Sequence, residues 1–79
     1  MTFPRHAGRF WVWVVTLPVS RDTGEWYGLW SVYEQRPDLE KNAASQPLIS
    51  GRTNAFSDER AAYRSANREG CHTARLMTR

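Results

Sequence analysis

One cysteine, two histidines and one lysine are all that the 79 residues hold of those types, and each scarcity removes a class of protein. A lone Cys71 can neither close an intrachain disulfide nor build a multi-cysteine zinc site, the two staples on which small domains commonly rely. Apolar residues never run for the ~20 positions a membrane-spanning helix needs. The longest such run, from Phe10 to Val19, is about half that length and is interrupted at Thr16. Arg5 and Arg9 precede it in the manner of a signal peptide, but its core is rich in tryptophan and valine rather than leucine and alanine. It also passes into Pro18-Val19-Ser20-Arg21-Asp22 instead of a small-residue cleavage site. The expectation is a cytoplasmic protein without a membrane segment.

Catalytic and metal-binding patterns are equally sparse. Cys71-His72 offers a nucleophile and a base in sequence, yet neighbours on a strand point to opposite faces, and no glycine-rich turn surrounds the cysteine. Asp22, Glu25, Glu34, Asp38 and Glu40 form no pair at metal-ligand spacing, and His6 stands alone near the N-terminus. No catalytic residue, metal or cofactor is assigned, and the chain is read as non-enzymatic.

Aromatic and β-branched residues, by contrast, are concentrated in two runs. Phe10-Trp11-Val12-Trp13-Val14-Val15-Thr16-Leu17 and Trp26-Tyr27-Gly28-Leu29-Trp30-Ser31-Val32-Tyr33 hold all four tryptophans, and Ser20-Arg21-Asp22-Thr23-Gly24-Glu25 between them has turn chemistry. This is a core β-hairpin over 9–34. Both faces of each strand are apolar, whereas a strand with one wet face should alternate. Something must therefore cover each side. Gly28, with no side chain to pack, is expected to admit a neighbouring tryptophan or seat a bulge.

Residues 1–8 contain Pro4 and Gly8 and no period, which reads as a loose leader. Residues 35–46 carry mixed charge and Pro37 and read as a loop, with one helical turn suited to 37–41 and Leu39 as its anchor. Pro47-Leu48-Ile49-Ser50-Gly51-Arg52 reads as a short strand over 47–52. A helix follows over 58–69: Ser57 as N-cap, Asp58 and Glu59 in the first turn, Gly70 as the stop. At 3.6 residues per turn Ala62 and Ala66 centre its inner face, with Arg60, Arg64 and Arg68 opposite. An inner face of alanines brings a helix close to a sheet and leaves large sheet residues to fill the space. Residues 71–77 are expected to return as a last strand.

The fold class that results is a small single α+β domain over 1–79: an antiparallel sheet of three to four strands in the order strand-strand-strand-helix-strand, with one helix on one face. That order resembles the arrangement in HicB-like antitoxins, a likeness of element order without a shared motif and without an implied function.

Two functional readings follow. In the first, an interaction module associates with a second copy or a protein partner through an aromatic sheet face that one helix cannot cover, drawing on Trp11, Trp13, Trp26, Trp30, Tyr27 and Tyr33. The second rests on arginine, which supplies ten of the eleven basic residues. Residues 47–79 hold six basic and three acidic groups, against five and five in 1–46. Arg60, Arg64 and Arg68, with Arg52 and Arg75, would then contact a nucleic-acid backbone. Base stacking on Trp26–Tyr33 is a weaker reading. Registering Tyr27-Gly28 on the aromatic-glycine pair of an RNA recognition motif puts Glu25, Trp26 and Leu29 where a basic residue, a glycine and a second ring belong, so these rings are read as core.

Overall fold

The computed structural model describes residues 4–36 and 46–78. The two aromatic runs pair as antiparallel strands β2 (Phe10–Pro18) and β3 (Trp26–Tyr33), and two short strands flank them, β1 (Arg5–Ala7) and β4 (Ile49–Arg52). The sheet order is β1-β2-β3-β4, antiparallel throughout, and a single helix α1 (Glu59–Thr78) packs across it. The domain is α+β, as its sequence implies. The stretch expected as a helical turn over 37–41, with Leu39, lies outside the described residues.

Register settles which side chains share a face. Val12 opposes Val32, Val14 opposes Trp30 and Thr16 opposes Gly28; these face the helix. Val12, Val14, Trp30 and Val32 form the core with Ala7, Ala66 and Ala74, and Ala62 is fully buried as well. The contact is close because both partners are small. A Cβ on Gly28 would stand 2.7 Å from the Ala62 carbonyl oxygen, and one on Gly70 would stand 2.7 Å from Val12 Cγ1 and 3.1 Å from Trp30 Cβ. Gly28 thus admits the helix rather than a neighbouring tryptophan. The strand glycine that accepts a tryptophan is Gly51, across which the indole of Trp30 lies.

Four expectations are corrected. Gly70 does not end the helix, and 71–77 is not a strand: α1 continues to Thr78, with Gly70 buried in its interior and Ala74 buried one turn later. Burial against Val12 and Trp30 requires a residue without a side chain, and this outweighs the roughly 1 kcal/mol that glycine costs within a helix. The likeness of element order to HicB-like antitoxins lapses with that last strand. Within the stretch expected as a loose leader, residues 5–7 form β1 through the two-residue turn Gly8-Arg9, with Gly8 at φ 62°, a conformation that glycine adopts without penalty. Thr78 Oγ1 accepts a hydrogen bond from the Arg9 N–H at 3.2 Å, tying the last helical turn to the first hairpin. Finally, the cap is Asp58 rather than Ser57. Asp58 Oδ1 accepts from the Arg60 N–H at 3.2 Å, and the Asp58 carbonyl accepts the first helical bond from Ala62.

The start of the helix is fixed by the sheet. Phe56 exchanges two backbone hydrogen bonds with Trp26, both 2.7 Å, and Thr16 Oγ1 lies 3.0 Å from Glu59 Oε2. Buried Thr53 holds Gly28 at both ends of its peptide: its N–H donates to the Gly28 carbonyl, and its hydroxyl accepts from the Gly28 N–H, both at 2.9 Å.

Two substitutions test this packing. Ala62→Leu overfills the contact and should cost about 1 to 3 kcal/mol. Arg64→Leu, on the exposed side of the same helix, should change stability by no more than about 0.5 kcal/mol. Gly70→Ala should destabilise, although intrinsic helix propensity alone favours alanine by about 0.8–1.0 kcal/mol. Denaturant midpoints decide both comparisons, and a stabilised Gly70→Ala would contradict the burial of this residue against the sheet.

Candidate interaction surface

The other face of the sheet is built by the alternate residues of the same strands: Trp11, Trp13, Val15 and Leu17 on β2 against Tyr33, Ser31, Leu29 and Tyr27 on β3. His6 extends it beside Trp11, and Ser50 and Arg52 extend it beside Ser31 and Leu29. Among the described residues no element is stacked on this side. Trp11, Trp13, Val15, Tyr27 and Leu29 are half-buried, Leu17 is exposed, and only Tyr33 is buried. Among the described residues no carboxylate falls on this face within the paired strands; Glu25, whose carbonyl accepts from the Val19 N–H at 2.8 Å, follows just beyond Tyr27.

The cations lie at its margins and against its rings. The Arg36 guanidinium stands 5.6 Å from the centre of the Trp11 ring, and Arg52 stands 5.5 Å from that of Tyr27. His6 packs against Trp11 with ring centres 4.9 Å apart. Such cation–π contacts contribute on the order of 0.5–1 kcal/mol at exposed sites. Among the described residues neither guanidinium is paired with a carboxylate. Arg52 separates two clefts. One, of about 410 Å³, is lined by Val19, Tyr27, Thr53, Asn54 and Ala55; the other, of about 270 Å³, by Leu29, Trp30, Ser31, Ser50 and Gly51.

The aromatic set expected on one face is therefore divided. Trp11, Trp13, Tyr27 and Tyr33 share the face opposite the helix, whereas Trp26 and Trp30 fall on the helix side, because β3 alternates. Trp30 is buried, and among the described residues its indole Nε1 has no hydrogen-bond partner. The arginine set divides as well. Arg60, Arg64, Arg68 and Arg75 are exposed along the outer side of α1, while Arg52 belongs to the sheet face on the opposite side of the molecule. The pairing of Arg36 with Trp11 went unread in the sequence, since Arg36 lies beyond the end of β3 and nothing in its neighbours predicts where the chain turns.

Cys71 and His72 are adjacent on the helix instead of a strand. The Cys71 thiol is half-buried, with Sγ 3.8 Å from Asn67 Oδ1, and His72 is exposed. Among the described residues no cluster of three or more His, Cys, Asp or Glu could hold a metal ion, and no helix is long and apolar enough to cross a membrane. Comparison with protein-family models, with curated proteins and with solved structures finds no match.

The double bond from Thr53 to Gly28 is what keeps the Arg52 end of this face in register. Thr53→Val retains the shape but leaves the buried Gly28 N–H without an acceptor, which should cost about 1–3 kcal/mol. In hydrogen exchange the Gly28 amide should lose protection more than that of Val32, two turns of pleat away. Equal loss at both would mean that Thr53 acts only through global stability.

Proposed function

We propose that this chain is a non-enzymatic interaction module whose binding surface is the sheet face opposite the helix, and that in solution this face meets the same face of a second copy. The observation that carries the reading is the row of partly exposed apolar side chains, Trp11, Val15, Leu17, Tyr27 and Leu29, with no described element over it and no acidic residue within it. Side chains of this size left in water forfeit about 25 cal/mol for each Å² that a partner could cover.

The area sets the strength. Two strands of nine and eight residues, flanked by strands of three and four, at ~3.3 Å per residue and ~4.8 Å between strands, present about 380 Å² on each copy. About 800 Å² buried in total lies below the ~1,200–2,000 Å² of stable complexes. The association is accordingly reversible and concentration-dependent. Arg36 and Arg52 bring like charge to both sides, so added salt strengthens it by screening.

Light scattering over a range of protein concentrations tests the reading. The wild type should pass from monomer to dimer, more readily at high salt, and Leu29→Lys at the centre of the face should remain monomeric with an unchanged circular dichroism spectrum. A wild type that is monomeric throughout, or a variant that dimerises equally well, overturns it.

A second reading, nucleic-acid binding through the helix, is supported by the alignment of exposed Arg60, Arg64, Arg68 and Arg75 on one side of α1. It does not include Arg52, which faces the other way. If it holds, replacing Arg60, Arg64 and Arg68 together abolishes a salt-dependent affinity for nucleic acid.

A further inference from the structure

From the hydrogen-bonding pattern at the edge of the sheet we infer that β4 pairs antiparallel with the β4 of another copy, Ser50 against Arg52, so that two four-stranded sheets join into one. The inference rests on the face-to-face dimer proposed above and says how two such dimers become a tetramer.

Parity leaves this edge unsatisfied. The Thr53 N–H donates to the Gly28 carbonyl at 2.9 Å, and the register sets Arg52 opposite Leu29, Gly51 opposite Trp30 and Ser50 opposite Ser31. Antiparallel bonding alternates along a strand, so Ile49 and Gly51 bond inward to β3, while the N–H and C=O groups of Ser50 and Arg52 point away from the sheet. Among the described residues these outward groups have no backbone partner. Leu48 ends the run, because its N–H turns inward to the Val32 carbonyl at 2.8 Å. A row of such groups is a template for a further strand.

The two edges of the sheet differ in what guards them. β1 is three residues long, follows Pro4 directly and carries Arg5, and short length, proline and charge are what keep an edge from pairing. β4 is scarcely longer, but it contains no proline or lysine, and no carboxylate occurs between Gln46 and Ser57. Its one charge is turned away from the edge: the Arg52 guanidinium stands 5.5 Å from the centre of the Tyr27 ring, on the neighbouring β3. Leu48 and Ile49, 51% and 43% exposed, add adjacent apolar side chains at the same edge for a partner to cover.

Two-fold symmetry selects the register. With Ser50 opposite the partner's Arg52, every outward group of both copies is bonded at once, and Gly51 meets the partner's Gly51 at the centre, where no side chain intervenes. Setting Arg52 opposite the partner's Arg52 would place like charges side by side. Rotation about the sheet normal keeps both helices on one side, so the aromatic faces of the two copies become continuous. At ~3.3 Å per residue and ~4.8 Å between strands the joined face measures about 760 Å². Two joined faces stacked together bury about 1,500 Å², inside the ~1,200–2,000 Å² range that a single pair of faces falls short of. So short a seam is marginal by itself, as an isolated two-stranded hairpin is. A face-to-face dimer with β4 over β4 presents two such edges on one side, and a second dimer meets both, the second seam closing as an intramolecular step.

The test joins light scattering to hydrogen exchange of the full chain over a range of protein concentrations. Wild type should pass beyond the dimer to a tetramer as concentration rises. In the same samples the outward amides of Ser50 and Arg52 should slow at least about tenfold in exchange as the tetramer fills, whereas the inward amide of Gly51 is protected throughout. Ser50→Pro removes only an outward N–H, which an edge strand tolerates. This variant should keep its circular dichroism spectrum and the protection of Gly51, stop at the dimer and leave the Arg52 amide fast. Where Ser50→Pro does not fold, the wild-type exchange decides alone. Leu29→Lys should stay monomeric with both outward amides fast. A wild type that stops at the dimer, a Ser50→Pro variant that forms the tetramer as readily, or a tetramer in which Ser50 and Arg52 exchange freely overturns the inference and leaves the face-to-face reading standing. A Leu29→Lys dimer with Ser50 and Arg52 protected, lost in Leu29→Lys/Ser50→Pro, does the reverse: edge pairing stands and the face-to-face reading falls. A wild type monomeric throughout overturns both.

Discussion

The contact between α1 and the sheet is made of very small residues, and the rest of the molecule follows from it. Ala62, Ala66, Gly70 and Ala74 present almost no side-chain volume, and Gly28 on the facing strand presents none. The helix therefore lies close to the sheet, with Val12, Val14 and Val32 beneath it and the ring of Trp30 laid across Gly51. At ~1.5 Å per residue a helix of 20 residues is about 30 Å long. It runs the length of the long strands, from Thr16 and Glu59 at one end to Arg9 and Thr78 at the other. A shallow space of that kind cannot store many aromatic side chains. The surplus is carried by the opposite face.

Much of this was legible because hydrophobic patterning in a small chain leaves few alternatives. The β2–β3 hairpin, the short strand before the helix, the inner alanines and the outer arginines all follow from period and composition. What was not legible came from tertiary contacts that override local signals. Gly70 carries the local signature of a stop, but its signal was ambiguous between φ freedom and close approach, and only the proximity of Val12 and Trp30 decides for the second. Arg5-His6-Ala7 has no strand signature of its own; it is a strand because β2 offers it an edge and Thr78 seals the turn after it. Alternation along β3 puts Trp26 and Trp30 on one face and Tyr27 and Tyr33 on the other, which grouping all six rings on a single face overlooked. Which set faced the helix depended on Gly28, whose role could be read in two ways.

The candidate surface is a consequence of the same division. With valine and glycine committed to the helix side, Trp11, Trp13, Tyr27 and Leu29 fall on the other by parity. Arginine, the dominant cation of this chain, is the residue best suited to lie flat on such rings. Rings without cations would make a face suited to aggregation; cations without rings would make an ordinary solvated one.

Register is where fold and surface become one constraint. A slip of β3 by a single residue would exchange its faces, sending Trp30 and Val32 outward and Tyr27, Leu29 and Tyr33 beneath the helix. The slipped arrangement is excluded at one point above all. Leu29 or Tyr27 would then stand where Gly28 now meets Ala62 and Ala66, and the helix would be driven off the sheet. Thr53 reinforces that choice by bonding the N–H and the carbonyl of Gly28 itself, so the residue that must face the helix is also held through both of its backbone polar groups. The aromatic character of the open face is thus not an independent feature added to a finished fold. It is the complement of a glycine that only one register can place.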